Sequence, residues 1–229
     1  MSATLRVLCL LTAAILPLSA QKAKPSEKSE KGLTVRLVAD EVTEGQAKVL
    51  IQVDEKKSEP LDLPANRLSD PVPVTGRSLV LKTADGGTEL CTVTLPEAGK
   101  SFAVLLASEK PAGYAPFVVR TDDPAFKAGD VFFINRTAKA MVMKLGGTDL
   151  VIEPGQFAKS RPTNPEDKAY HIVISERDET GEKLVSSTRW PAGENLRSYI
   201  FLTTDAKGKT TYRAVDEYLE AGKSKKKRR

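Results

Sequence analysis

The residue types that most often carry enzyme chemistry are scarce in this chain of 229 residues. His171 is the only histidine, and it stands in the strand-like run AYHIVIS at 169–175. Alternation along that run puts Tyr170, Ile172 and Ile174 on the core face and His171 on the other face. A hydrolytic triad needs a nucleophile beside the histidine, and no Gly-x-Ser-x-Gly elbow supplies one. We therefore predict no catalytic residue and expect a protein that is not an enzyme.

The sequence also contains few residues that could bind a metal ion or a cofactor. A zinc site needs three or four nitrogen or sulfur ligands, whereas the mature chain offers one histidine and one cysteine. Acids cluster only in polar, loop-like sequence, where carboxylates are usually solvated. These clusters are Asp122-Asp123, Glu166-Asp167 and the group Glu176, Asp178 and Glu179. Glycosidic catalysis by such a pair, or calcium held by Asp122, Asp123 and Asp130, is the alternative. With no Gly-x-x-x-x-Gly-Lys phosphate loop either, we predict no metal and no cofactor.

The positive charge is concentrated at the two ends of the chain. The net charge is +5, but residues 1–32 carry three net positive charges and 221–229 carry six, so 33–220 sums to −4. A mildly acidic body argues against specific nucleic-acid binding, which needs basic residues on the folded domain. The basic, disordered tail 220–229 is expected to solvate an otherwise acidic domain, and binding of an anionic envelope polymer is the alternative. The candidate anion-binding residues are Lys223, Lys225, Lys226, Lys227, Arg228 and Arg229.

The N-terminus has the features of a secretory signal peptide, residues 1–20. Arg6 precedes the apolar run Val7–Leu16, and Ala20 is a small residue at the expected cleavage site. The apolar run is shorter than the ~20 residues that span a bilayer, so an uncleaved anchor is the less favoured alternative. The polar stretch 21–32 is expected to be a flexible linker. We therefore predict a periplasmic or secreted protein with no membrane span in the mature chain.

Removal of the signal peptide leaves Cys91 as a single thiol, which cannot form an internal disulfide. The run LCTVTL at 90–95 alternates, so Cys91, Val93 and Leu95 share one apolar face. A cysteine on such a face usually packs as a small apolar side chain. A reactive thiol, or one paired with another molecule, is the alternative.

Short alternating runs separated by glycine-rich turns predict β-strands along 33–219. The predicted fold is all-β, an antiparallel β-sandwich of one or two closely packed lobes. Prolines and a glycine at 110–116 indicate a seam between lobes 33–113 and 116–219. The proline-rich segment 58–77 is expected to be irregular or edge-like, and Asp216–Ala221 to add one helical turn.

Several motifs resemble those of a group of secreted, β-rich proteins of the Verrucomicrobia and Planctomycetes. The resemblance covers about 80–218 best, and its motifs are structural in character. It implies a signal peptide and one β-rich region, and it transfers no catalytic residue. The motifs are FKAGDVFFINRT at 126–137, KLGG at 144–147 followed by EPG at 153–155, STRW at 187–190 and RSYIFL at 197–202.

These observations favour a non-enzymatic extracytoplasmic envelope protein with a structural or protein-interaction role, whose partners are envelope proteins or an anionic envelope polymer. The alternative is a β-sandwich module that binds a small ligand or a glycan through exposed aromatic residues, with Trp190, Tyr199 and Phe201 as candidates. Trp190 is also expected to close the end of the sandwich, because a tryptophan buries a large apolar area. A hydrolase is the third interpretation.

Overall fold

The computed structural model describes residues 32–109, 113–163 and 168–219, and within these ranges the chain is all β, as predicted. No helix forms there, so none is long and apolar enough to cross a membrane. The strands are β1 (Leu33–Ala39), β2 (Lys48–Val53), β3 (Lys56–Lys57), β4 (Leu61–Asp62), β5 (Val72–Val74), β6 (Ser78–Thr83), β7 (Glu89–Thr94), β8 (Ser101–Ser108), β9 (Tyr114–Arg120), β10 (Val131–Asn135), β11 (Ala140–Leu145), β12 (Thr148–Ile152), β13 (Phe157–Ser160), β14 (Ala169–Asp178), β15 (Gly181–Pro191), β16 (Leu196–Thr204) and β17 (Thr210–Tyr218).

These strands form four sheets that make two β-sandwiches. The N-terminal sandwich has an inner sheet of order β5-β1-β8-β9 and an outer sheet of order β3-β2-β6-β7, with β4 beside β2. The C-terminal sandwich has an inner sheet of order β13-β10-β16-β17 and an outer sheet of order β12-β11-β14-β15. Within the described ranges, adjacent strands are antiparallel except for the parallel pairs β1–β8 and β10–β16. The predicted antiparallel sandwich is therefore confirmed.

Three apolar cores hold the four sheets together. One core lies inside each sandwich, and a third, the central core, lies between the two inner sheets. The central strands of the inner sheets are thus covered on both faces, and β8, β10 and β16 are buried without alternation, as expected for doubly buried strands. In β10, for example, Phe133 points into the C-terminal sandwich and Phe132 into the central core. The buried members of the central core are Val38, Leu68, Ala103, Leu105, Val119, Phe126, Phe132, Ile134, Tyr199, Phe201 and Val215.

The two sandwiches repeat one topology. Strands β1, β2, β3 and β5–β9 of the first take the same places as β10–β17 of the second. The strand registers repeat as well. Val35 lies opposite Phe102, which lies opposite Arg120. Their counterparts, each 96 residues later, are Val131, Ser198 and Asp216, paired in the same way.

A β-bulge confirms that the outer sheets correspond too. The ladder between β6 and β7 shifts register between Leu81 and Lys82, and the ladder between β14 and β15 shifts between Ile174 and Ser175. A bulge adds one residue to one strand and is a specific local feature. Its recurrence at the same place allows any position of one sandwich to be compared with its counterpart in the other.

Two sequence expectations are wrong. The seam predicted at 110–116 overlaps the start of β9, and β9 pairs with β8 of the same inner sheet over its whole length. The boundary between the sandwiches is therefore 121–130. The prediction failed because proline and glycine are as common in the turn of a hairpin as in a linker between domains. The helical turn expected at Asp216–Ala221 is also absent as far as the chain is described there, because β17 continues to Tyr218. Residues 220 and 221 lie outside the described ranges.

Cys91 lies in the N-terminal core beside Val93 and Leu95, as predicted. Burial, together with the nearby charge of Glu89, raises the pKa of its thiol to about 12. The reactive thiolate is therefore rare at neutral pH. We expect a thiol reagent to label native Cys91 slowly and the unfolded chain quickly, and Cys91→Ala to cost ~1 kcal/mol of stability. Rapid labelling of the native protein, followed by mass spectrometry, would contradict this expectation.

Candidate functional site

His171 lies on the outer face of the outer C-terminal sheet, as the alternation predicted. Its Nε2 is 3.0 Å from the Oγ of Ser187 on the neighbouring strand β15. Both side chains are exposed, and they stand on an open sheet surface that offers a substrate no enclosure. The two side chains therefore form a surface hydrogen bond, and nothing around them would exclude water from a reaction.

The three aromatic candidates have different environments. Trp190 is half-buried and packs against the rings of Tyr170 and Tyr212, with ring centroids 6.4 and 5.7 Å from its own, so it covers part of the C-terminal core. Tyr199 and Phe201 are fully buried in the central core. The expectation that these two rings are exposed to a ligand is therefore wrong. They alternate with Ile200 and Leu202, and both faces of β16 are covered.

The acidic clusters are engaged in ion pairs and turns. Glu176 and Asp178 share the ammonium of Lys139 at 3.0 and 3.1 Å. Hydrogen bonds from Thr180, with help from Lys139, lower the pKa of Asp178 to about 2. Asp122 pairs with Arg120 at 2.8 Å and Asp123 accepts from the backbone of the 123–126 turn. Glu166-Asp167 lies outside the described residues, as does the candidate anion-binding tail. No three His, Cys, Asp or Glu side chains group as a metal site in the described ranges.

A cavity of about 210 Å³ opens at one end of the C-terminal sandwich. Strands β10, β14 and β16 begin there, and β13 and β15 end there. Its walls mix charged, hydroxyl and apolar groups, which is the usual character of a small-molecule site. The side chains that give the cavity its chemistry are Asp130, Arg161, Tyr170, Glu194, Leu196 and Ser198.

Hydrogen bonds fix the polar wall of this cavity. The buried carboxylate of Asp130 accepts from Arg161 Nε at 2.7 Å and from the backbone N–H of Lys127 at 2.6 Å. Arg161 also donates to the carbonyl of Ala128 at 3.0 Å, and its side chain stays half exposed. Ser198 Oγ donates to Asp216 at 2.6 Å. These bonds hold the wall in one conformation, so a ligand would meet preorganised groups.

The remaining polar groups of the cavity are a phenol and a carboxylate. Burial, reinforced by the charge of Asp216, raises the pKa of Tyr170, so its hydroxyl stays protonated and can donate. Glu194 is exposed at the rim and supplies a carboxylate that accepts. The cavity therefore offers both donors and acceptors.

Comparison of the two sandwiches explains why the cavity exists. In the N-terminal sandwich the counterpart of Ser198 is Phe102, which is fully buried. The counterpart of Tyr170 is Arg77, because each lies equally far along the chain before the shared bulge. The Arg77 guanidinium lies 6.0 Å from the Phe102 ring and donates to the carbonyls of Pro96 and Gly99. A ring and an arginine thus fill the end of one sandwich, and a serine leaves the other end open.

A buried ion cluster joins the two sandwiches at the central core. Glu217 accepts from Arg197 Nε at 2.6 Å, from the Tyr199 hydroxyl at 2.7 Å, and from Arg36 Nη1 of the N-terminal sandwich at 2.9 Å. Arg197 also donates to the carbonyl oxygens of Thr121 and Phe126 in the linker. Both sandwiches and the segment between them are therefore tied to one carboxylate.

The charges of this cluster are mutually compensated. Burial alone would raise the pKa of Glu217, but hydrogen bonds from Arg197 and Tyr199 and the charges of Arg197 and Arg36 outweigh it and hold the pKa below the ordinary value. Burial and the neighbouring Glu217 raise the pKa of Tyr199, so that the phenol remains a donor. The charged and polar groups of the cluster bind one another and other parts of the chain. We call this cluster of Arg36, Arg197, Tyr199 and Glu217 the lock, because it holds the two sandwiches together.

Sequence reasoning missed both the lock and the cavity. The pair Arg197 and Glu217 carried a signal, because the hairpin of β16 and β17 sets them directly opposite each other. The ion pairs of Arg36 with Glu217 and of Asp130 with Arg161 carried none, since the two partners of each pair are distant in sequence.

Comparison with protein-family models gives no match, and comparison with curated proteins gives none either. The resemblance to the secreted bacterial group therefore stays a prediction. Among solved structures, the chain is similar to one that holds a pair of C2 domains of extended synaptotagmin 2, with 12% identity and a TM-score of 0.24. The match covers 94% of this chain and 100% of that chain. At this TM-score the similarity says nothing about function, and the description of the fold rests on the strand pairing.

Proposed function

We propose that this protein is a non-enzymatic, extracytoplasmic binding protein that holds a small polar ligand in the cavity of its C-terminal sandwich. The observation that carries the proposal is the open end of that sandwich, walled by Asp130, Arg161 and Tyr170, where the otherwise matching N-terminal sandwich is filled. The polar wall is fixed by hydrogen bonds before any ligand arrives, which reduces the entropic cost of binding.

The state of Glu176 and Asp178 argues against the glycosidase interpretation. A glycosidase needs one carboxylic acid with a raised pKa to protonate the leaving group. Hydrogen bonds from Thr210 and Lys139 instead lower the pKa of Glu176, and that of Asp178 is also lowered. These groups behave as ion-pair partners.

Filling the cavity should abolish binding. The variant Ser198→Phe restores the residue type found at the counterpart position Phe102, and we expect it to weaken binding at least tenfold. The measurement is ligand-observed NMR with a panel of small sugars, amino acids and organic acids. Ser187→Phe, on the exposed outer face, is the matched control and should leave binding unchanged.

Thermal unfolding identifies a Ser198→Phe protein that fails to fold, in which case Ser198→Leu takes its place. The proposal is contradicted if no compound of the panel binds the native protein, or if compounds bind equally well to the filled variant.

The extracytoplasmic address depends on residues 1–31, which lie outside the described ranges. We expect protein purified from its native source to begin at or near Gln21, because Ala20 is the suitable small residue after the apolar run. Intact-mass spectrometry gives the answer directly. A mass that retains Met1, or that includes a lipid on cysteine, contradicts the prediction.

A structural or protein-interaction role in the envelope is the second candidate function. The cluster around Glu217 favours it, because this buried carboxylate holds Arg36 and Arg197, while Arg197 binds the segment 121–130, so the two sandwiches are tied together. Envelope proteins, or an anionic polymer bound by the basic tail, would be the partners. This role gains support if the cavity binds nothing while in-cell cross-linking attaches the native protein to an envelope component.

A further inference from the structure

We infer that the ligand of the cavity is a single neutral sugar ring or a polyol of similar size. This inference rests on the proposed function, since it names the chemical class that the same site would take. Three features of the wall support it: the balance of charge, the mixture of donors with acceptors, and a separate apolar surface.

The balance of charge disfavours anions. Asp130 and Glu194 line the cavity, and Asp216 lies directly behind Ser198, at hydrogen-bond distance from its hydroxyl. Among the described residues that line the cavity, Arg161 is the only cation, and its charge is already paired with Asp130 at 2.7 Å. Acids therefore exceed bases around this part of the opening, and a carboxylate or phosphate would be repelled.

The polar groups suit hydroxyls in particular. Arg161 and Tyr170 donate, whereas Glu194 accepts. A sugar hydroxyl does both at once, so neighbouring hydroxyls of one ring can satisfy a guanidinium and a carboxylate together. An ammonium ligand would satisfy Glu194, but it has no acceptor to offer the Arg161 guanidinium, which remains half exposed at the cavity.

The remaining wall is apolar and rigid. Leu196 is buried beneath the cavity, and Pro162 and Pro191 flank it. Proline rings and a leucine side chain present C–H groups, which match the C–H face that a pyranose exposes beside its hydroxyl rim. The volume of about 210 Å³ lies below the ~300–1,000 Å³ of most small-molecule pockets, so one ring is the largest unit that would be enclosed.

Matched probes separate the charge classes. Glucose, galactose and mannose serve as neutral rings, with glucuronate and glucosamine as anionic and cationic analogues of glucose. Saturation-transfer NMR measures binding, and the emission of Trp190, the single tryptophan, reports it independently, because its ring contacts Tyr170 of the cavity wall. We expect at least one neutral hexose to bind, and an added carboxylate to weaken binding tenfold or more.

Removing the rim charge tests the hydroxyl contact. Glu194→Gln keeps the shape and replaces a charged acceptor by a weaker neutral one, so the affinity for the neutral hexose should fall about fivefold to tenfold. Glu179→Gln, in the exposed turn between β14 and β15, is the matched control and should leave the affinity unchanged.

The outcomes distinguish a wrong ligand class from the absence of a binding site. If glucuronate or glucosamine binds more tightly than every neutral ring, and Ser198→Phe abolishes that binding, the ligand class is wrong and the binding site stands. An equal effect of both glutamine variants also overturns the hydroxyl contact. If none of the probes binds and no member of the wider panel does so, the proposed function itself fails.

Discussion

Replacing Glu217 by glutamine should lower the free energy of unfolding by about 3–5 kcal/mol, the usual cost of removing one partner of a buried ion pair. Arg197 and Glu217 are only 5% and 7% exposed, so Arg197 would be left buried without a compensating charge, and Arg36 would also lose its partner. The change should lower the melting temperature on the order of 10 °C for a chain of this size. Urea unfolding followed by circular dichroism measures it.

Glu182→Gln is the matched control, since Glu182 also pairs with an arginine, Arg177, at 2.7 Å. That carboxylate is 38% exposed, and a surface pair contributes about 0–1 kcal/mol. Similar losses in the two variants would contradict the interpretation of the Glu217 cluster as a lock.

The pH dependence gives a second readout for the lock. Because the folded state holds the pKa of Glu217 below the ordinary value of 4.5, its contribution to stability is fully present above that value. It is lost as the pH falls from about 4.5 through the lower pKa of the folded state. The native protein should therefore lose stability more steeply in this acidic window than Glu217→Gln does. Parallel slopes would mean that Glu217 is not the group responsible.

Phe201→Ala should cost about 3–5 kcal/mol of stability, as truncation of a fully buried phenylalanine usually does. Phe201 is 0% exposed in the central core, where both inner sheets contact one another. Phe157→Ala is the control from the edge of the same sheet. Phe157 is 59% exposed, and its ring centroid lies 5.3 Å from that of Phe132, on which it stacks. Truncation of Phe157 should therefore cost about 1 kcal/mol of stability or less.

Thermal or urea unfolding of the two alanine variants decides whether Phe201 is a core residue or a ligand contact. A ligand-facing ring would behave like Phe157, with little change in stability. Because the central core and the Glu217 cluster connect the sandwiches, we also expect the native protein to unfold in a single transition. Two separate transitions would show that the sandwiches are stable independently and that the central core is weak.

The local patterns of the sequence predicted the strands well. The run AYHIVIS at 169–175 lies within β14, and the run LCTVTL at 90–95 lies within β7 except for its last residue. Alternation placed His171 on the open face and Cys91 in the core. These features depend on the period-two geometry of a strand and on turn residues, which are properties of a few neighbouring residues.

The doubly buried strands show where such reasoning failed. The run RSYIFL has no alternation, and a continuous apolar run indicates a strand covered on both faces. Treating Tyr199 and Phe201 as exposed disregarded this signal. The repeat of the sandwich escaped detection because it is preserved in the strand registers and in a bulge, while the residues themselves, such as Phe102 and Ser198, have diverged.

The all-β class, the strands and the faces of the outer strands could be read along the chain, because each follows from contacts between near neighbours. Three other features emerge only when the strands assemble: the central core shared by two sandwiches, the contact of Arg36 with Glu217 across 181 residues, and the cavity that Ser198 leaves at the end of one sandwich. The physical reason is the same in each case. Burial of a ring, compensation of a charge and the volume of a cavity depend on side chains brought together from distant strands, and no local pattern specifies which strands will meet.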